Sequence, residues 1–175
     1  MSKFAFGKTK LALVALAALA AMSSAQAVTE TADLGVSLTL DSGCQFSAPS
    51  DAVAFARTTS TSAAVTLDAT GTLNVTCTSG TNYTIGLNGG ANNTGSVDTP
   101  ALGSRRMQGT AGNYVTYDLY QEPTHTTFWG NVVNSDTFSS VGTGNPEAIP
   151  VYGRVTNVNA VAGVYADTVT ATITY

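Results

Sequence analysis

Few residues in this chain could do chemistry. The single histidine, His125, lies in the polar stretch Glu122-Pro123-Thr124-His125-Thr126. Nucleophilic catalysis needs a base held beside a hydroxyl or thiol. No Gly-x-Ser-x-Gly elbow supplies one, and a solvated loop histidine fits that setting. Glycoside hydrolysis needs two carboxyls facing each other across a cleft. Asp118 and Glu122 are the candidates, but Asp118 falls on the polar side of its strand, where solvation accounts for it. Arg105-Arg106 is the only basic doublet, and in an acidic chain it is expected to pair with nearby carboxylates. Trp129 and the tyrosines at 114, 117, 120, 152 and 165 are enough to fill a core and its rim; an aromatic platform for sugar is the alternative. No aspartate-rich calcium loop and no phosphate-cradling glycine loop before a helix occurs. The sequence therefore predicts no catalytic residues, no metal site and no cofactor, and a protein that is not an enzyme.

Cys44 and Cys77 are the only cysteines. In an exported chain one pair most simply forms a disulfide, and closing the loop from residue 44 to residue 77 would contribute roughly 3–4 kcal/mol. A zinc site is the competitor, but two cysteines and one histidine need a carboxylate to complete four ligands.

Export is read from the first 27 residues. Lys3, Lys8 and Lys10 form a positive start, Leu11 to Ala21 is an unbroken apolar run, and Ala25-Gln26-Ala27 is a small-x-small cleavage site. The run is too short to cross a bilayer, which takes about 20 residues. Residues 1–27 are thus expected to be a signal peptide, and the mature part to carry no membrane span. Taking 27 from 175 leaves 148 residues, which suits one domain. All three lysines leave with the leader. Four arginines then face eleven carboxylates, and the formal net charge moves from −4 to −7. Such a surface has no footprint for phosphate backbones, so no nucleic-acid partner is expected.

The elements that would position these residues are strands. Threonine and valine suit a pleated surface, and no stretch after the leader keeps a helical period. Leu34, Val36, Leu38 and Leu40 alternate with polar or small residues, as a strand with one buried face does. Val53–Ala56 and Ala63–Leu67 are weaker candidates, and Gly71–Cys77, Asn82–Asn88 and Asn113–Tyr120 are stronger ones. A short strand around Arg105–Met107, runs at Thr126–Gly130 and Ala148–Val155, and a last one from Gly163 to Tyr175 complete the set. In that last run Val169, Ala171, Ile173 and Tyr175 share a face. Short strands and turn signals at this spacing predict an all-β chain, a sandwich of immunoglobulin-like type.

Ordered along the chain are Gly71-x-Leu-x-Val-x-Cys77, Ser104-Arg105-Arg106-Met107, Tyr117-x-Leu-Tyr120, Thr127-x-Trp129-Gly130, Ile149-Pro-Val-Tyr-Gly-Arg-Val155 and Gly163-x-Tyr-x-Asp167-Thr-Val-Thr-x-Thr-Ile-Thr-Tyr175. This series resembles the spore coat protein U domain, which subunits of archaic, Csu-type chaperone–usher pili also carry. The likeness runs from about Leu34 to Tyr175 and is looser at Ser47–Val65 and Glu122–Thr126. It implies an incomplete immunoglobulin-like β-sandwich, completed by a donated strand. Residues 28–41 would be the donor segment, with Leu34, Val36, Leu38 and Leu40 as its apolar stripe. Residues 42–175 would be the domain, with Val169, Ala171, Ile173 and Tyr175 on the strand facing the groove and the chaperone. The implied partners are a periplasmic chaperone, an outer-membrane usher and neighbouring pilus subunits, and the implied destination is the cell surface, reached through the periplasm. The expected role is a structural pilus subunit in adhesion and biofilm formation. The alternative is a secreted spore or cell-surface coat protein.

Overall fold

The computed structural model describes residues 27–59 and 65–175. The expected leader lies outside these residues except for Ala27, as does the start of the strand candidate at 63–67. The chain divides into two units, Met1–Leu38 and Thr39–Tyr175. In the first, the described residues form no strand.

The described residues of the second unit form nine strands: β1 (Cys44–Asp51), β2 (Leu67–Cys77), β3 (Asn82–Leu87), β4 (Arg106–Gln108), β5 (Tyr114–Thr116), β6 (Asp118–Tyr120), β7 (Phe138–Val141), β8 (Pro146–Val155) and β9 (Ala171–Thr174). One sheet runs in the order β1-β2-β8-β6, a second β7-β3-β9, and a short ribbon pairs β4 with β5. Every ladder is antiparallel, and no α-helix occurs among the described residues. The chain is all-β, as its composition and alternation require.

The spine is the long β2–β8 ladder, from Leu67↔Val155 to Thr76↔Pro146. Along β8, Ile149, Val151 and Val155 turn inward and are buried, the period-two pattern of a strand with one face on a core. Proline inside a strand removes a ladder donor and is confined to edges. Pro150 fits because β6 reaches only Tyr152–Arg154, so at Pro150 this strand is an edge. The core lies between the two main sheets. Val75, Leu119, Ile149, Val151 and Val155 from one meet Tyr83, Ile85 and Leu87 from the other around Trp129.

Several elements differ from the sequence reading. Asn113–Tyr120 is two strands in two sheets, because at Tyr117 the chain leaves the β4 ribbon for β8; the Tyr117 amide donates to Arg105 O at 3.1 Å. Thr126–Gly130 makes only a bridge, Tyr120↔Phe128. Val53–Ala56 joins no ladder, although Val53 and Phe55 pack against the core. Of the run Gly163–Tyr175, only Ala171–Thr174 is a strand. The strands β1 beyond Cys44 and β7 carry no clean alternation and are not legible in advance.

Candidate functional site

The feature with room for a partner is an opening between the sheets. Strand β9 pairs with β3 through Thr84↔Thr174 to Leu87↔Ala171 and ends its sheet. Strand β1 pairs with β2 and ends the other. The two edges approach at the Cys44 end, where Gly43, Cys44, Gln45 and Tyr175 line a hollow of about 390 Å³. Farther along, a cavity of about 430 Å³ opens among Val53, Phe55, Leu73, Met107, Val169 and Ala171. An open edge with a gap beside it is a template for strand addition.

The sequence shapes this gap locally. A Cβ on Gly71 would stand 2.6 Å from Asp51 O, and one on Gly153 would stand 2.5 Å from a Val53 methyl. Both glycines therefore let the chain after β1 lie directly on the β2–β8 face. Phe55 then meets Tyr117 edge-on at 6.5 Å. The Tyr117 hydroxyl donates to Asp167 Oδ2 at 2.7 Å, while Asn92 donates to Asp167 Oδ1 from its amide at 3.2 Å and from Nδ2 at 3.0 Å. Burial first, and then the bond to Asp167, push the Tyr117 phenol well above its ordinary range. These bonds and Ala91 N→Thr168 O at 3.1 Å and Asn88 N→Thr170 O at 3.0 Å hold residues 163–170 where no ladder does.

The expected groove residues occupy this place unequally. Val169 and Ala171 line the cavity, and Ile173 faces Ile85 in the ladder and packs on the core. Tyr175 is 59% exposed beside the smaller hollow. Leu34, Val36, Leu38 and Leu40 are 87%, 89%, 81% and 78% exposed, a bare apolar stripe on a stretch without a strand. Cys44 and Cys77 are disulfide-bonded and directly opposite each other in the β1–β2 register.

The arginine doublet corrects the sequence reading. Arg105 is fully buried and pairs with no carboxylate. It donates to Leu87 O at 2.6 Å, Asn88 O at 2.9 Å and Trp129 O at 2.9 Å, with its guanidinium 5.0 Å from the centre of the Phe128 ring. Burial draws its pKa down. It ties the end of β3 to the Trp129 segment, so its work is structural. Arg106 lies over the Tyr114 ring at 4.2 Å and donates to Asn92 O at 3.0 Å. An arginine between Ser104 and Arg106 carries no sequence signal for carbonyl capture.

His125 is a second correction. Its side chain is only 5% exposed. It stands edge-on to Tyr120 and Tyr152, with ring centres 5.2 and 6.3 Å away. Neither ring nitrogen has a hydrogen-bond partner, and Asp68, 3.7 Å away, is already gripped by Arg154 at 2.7 and 2.8 Å. The two carboxyl candidates each hold their own loop. Asp118 accepts the Gly103 amide at 2.7 Å, and Glu122 Oε1 accepts the amides of Thr126 and Thr127 at 2.6 and 2.7 Å. Trp129 is fully buried and donates from Nε1 to Ile85 O at 2.8 Å, which removes it as a sugar platform. Among the described residues no cluster of three His, Cys, Asp or Glu side chains could hold a metal ion, and no helix is long and apolar enough to cross a membrane.

Known proteins share this arrangement. The sequence profile of the spore coat protein U domain matches residues 30–172. The chain belongs to the spore coat protein U domain family. A curated relative, Protein U of Myxococcus xanthus, is 34% identical over 177 residues, covering 96% of this chain and 98% of the relative. Among solved structures, the fold resembles a chain of the CsuC–CsuE chaperone–tip adhesion subunit pre-assembly complex from the archaic chaperone–usher Csu pili of Acinetobacter baumannii. The TM-score is 0.53 and the identity 21%, over 78% of this chain and 40% of that one. At that identity the likeness concerns the fold, and this chain covers less than half the length of that one.

Proposed function

We propose that this protein is a structural subunit of a surface fibre of the archaic chaperone–usher type. It polymerises by donor-strand exchange and serves adhesion or biofilm formation. One observation carries the reading: an apolar gap lies beside the free β9 edge, and the same chain bears an exposed stripe of strand period at Leu34, Val36, Leu38 and Leu40. Residues 28–41 of one copy would enter the gap of the next. Backbone bonds to β9 would supply affinity and alternate side chains would fill the pockets. Burying the four apolar side chains at roughly 1.5–3 kcal/mol each sets an upper bound of about 6–12 kcal/mol. Before assembly a periplasmic chaperone would cover the gap, and an outer-membrane usher would exchange it for the neighbour's segment. Residues 1–27 would direct export and be removed.

The test is deletion of residues 28–41. The shortened protein still binds the chaperone but forms no fibres; fibres as abundant as those of the full chain would overturn exchange. The near full-length match to Protein U favours a second reading, a coat protein deposited on a spore or cell surface by the same chemistry. Chaperone and usher genes beside this one would support the pilus, and their absence the coat.

A further inference from the structure

Without the lysines of the leader, the chain has four cations. Arg105 is buried on carbonyls, Arg106 is stacked on Tyr114, and Arg154 is paired with Asp68. Of these four, Arg57 alone is exposed, and no ion pair, hydrogen bond or ring contact joins it to another described residue. Its place matters. Val53 and Phe55 are half-buried in the wall of the apolar cavity, Ala54 and Ala56 are exposed, and Arg57 is the next step of that alternation. It follows Phe55, the last residue of this stretch to line the cavity, so the chain carries it past the wall toward the mouth of the gap at the end away from Cys44. The charged groups in the cavity wall itself are Asp51 and Asp167, both acidic.

The proposed donor is built to match. Asp33-Leu34-Gly35-Val36-Ser37-Leu38-Thr39-Leu40-Asp41 carries no charge between its two aspartates. An uncharged stretch passes the acidic wall, and one aspartate lands at the mouth. Which one depends on direction. Strand β9 runs toward Cys44: Val169 and Ala171 share the cavity with Phe55, and Tyr175 lies beside Cys44. Every ladder in the domain is antiparallel, and antiparallel pairing is the more stable per residue. An antiparallel donor brings its Leu40 end to Phe55 and Asp41 to Arg57, whereas a parallel one brings Asp33.

We infer that Arg57 is a docking cation for a second copy of this chain, pairing with Asp41 of the incoming segment and so fixing its direction and register. The inference rests on the donor-strand reading above. It accounts for the one free arginine and for the aspartate placed immediately after the stripe.

The test follows ladder formation by the exported, purified full chain, comparing the wild type with Arg57→Glu, the double variants Arg57→Glu/Asp41→Arg and Arg57→Glu/Asp33→Arg, and Val36→Asp. Reversing Arg57 slows assembly about three- to tenfold, the effect of turning an exposed attraction into a repulsion. The loss fades at about 1 M salt, where screening acts within roughly 3 Å. Asp41→Arg restores the rate and Asp33→Arg does not. Restoration by Asp33→Arg instead, or an Arg57→Glu rate equal to wild type while Val36→Asp fails to assemble, overturns the ion pair and leaves exchange standing. Assembly of Val36→Asp at the wild-type rate overturns both.

Discussion

Two stretches of this chain carry the same pattern and meet opposite fates. Leu34, Val36, Leu38 and Leu40 alternate as regularly as Val169, Ala171 and Ile173. The second set is half-buried and its strand is paired with β3; the first is 78–89% exposed and lies in a stretch without a strand. Alternation states that one face wants cover, because each apolar side chain gains on leaving water. It does not state which molecule supplies the cover. On the proposed function, the open side of β9 and the bare side of the N-terminal stripe would be the two halves of one interface between copies.

Substitutions separate the halves. Ile173→Asp places a charge in a packed site opposite Ile85. A buried unpaired charge costs several kcal/mol, so the domain is expected to lose its cooperative urea transition or show a much lower midpoint. Val36→Asp, on the exposed stripe, leaves the unfolding free energy of dilute protein from urea titration within about 0.5 kcal/mol of wild type but stops ladder formation. Equal effects on stability would erase the contrast. The disulfide comes next. It joins the start of β1 to the end of β2, at the base of the N-terminal stretch. Replacing Cys44 and Cys77 by serine costs about 2–4 kcal/mol by denaturant titration, without giving the stripe a partner.

Tyr117→Phe is smaller. It removes the 2.7 Å bond to Asp167 that anchors residues 163–170 ahead of β9. A loss of about 1 kcal/mol is expected, with faster amide exchange at Ala91 and Asn88, whose N–H groups donate to the Thr168 and Thr170 carbonyls. Unchanged exchange there would show that the loop before β9 is held by its backbone bonds alone.

The smallest effect lies far from the interface, in the Glu122 loop. Loss of solvent works to raise the Glu122 carboxyl, but hydrogen bonds from Thr126, Thr127 and Thr124 outweigh it and bring it to about 2, from an ordinary 4.5. A depressed carboxylate stabilises the folded form above its unfolded pKa and loses that contribution as pH falls toward its folded pKa. The contribution is therefore full above about pH 4.5 and disappears toward pH 2. Glu122→Gln flattens the stability profile across that window and leaves assembly at neutral pH untouched. A profile that keeps its acid slope would assign the slope to other carboxylates.

The contrast also marks what the sequence can say. The β2, β3 and β8 ladders were legible because each strand buries one regular face, and Leu73 through Cys77 or Ile149 through Val155 show it directly. The cysteine pair was legible from its number and from the expectation of export. Where backbone geometry decides, the pattern was silent. Nothing in Ser104-Arg105-Arg106 tells which arginine collects three carbonyls, and nothing in Pro123-Thr124-His125 tells that Tyr120 and the distant Tyr152 flank the imidazole. The single alternating run Asn113–Tyr120 hid a change of sheet at Tyr117, since a strand may change partner without breaking its period. The gap beside β9 was implied by family resemblance; from residues alone it is an absence, and a missing strand leaves no letters.

The central claim is that the bare stripe covers the open β9 edge of another copy. Cysteines placed at Ser37 and Thr172, both exposed, can be oxidised in assembled material and separated under denaturing, non-reducing conditions. The account predicts a ladder of covalent multimers that collapses to monomer on reduction. A product that stays a cross-linked monomer, or that shows no cross-link while fibres persist, would contradict it.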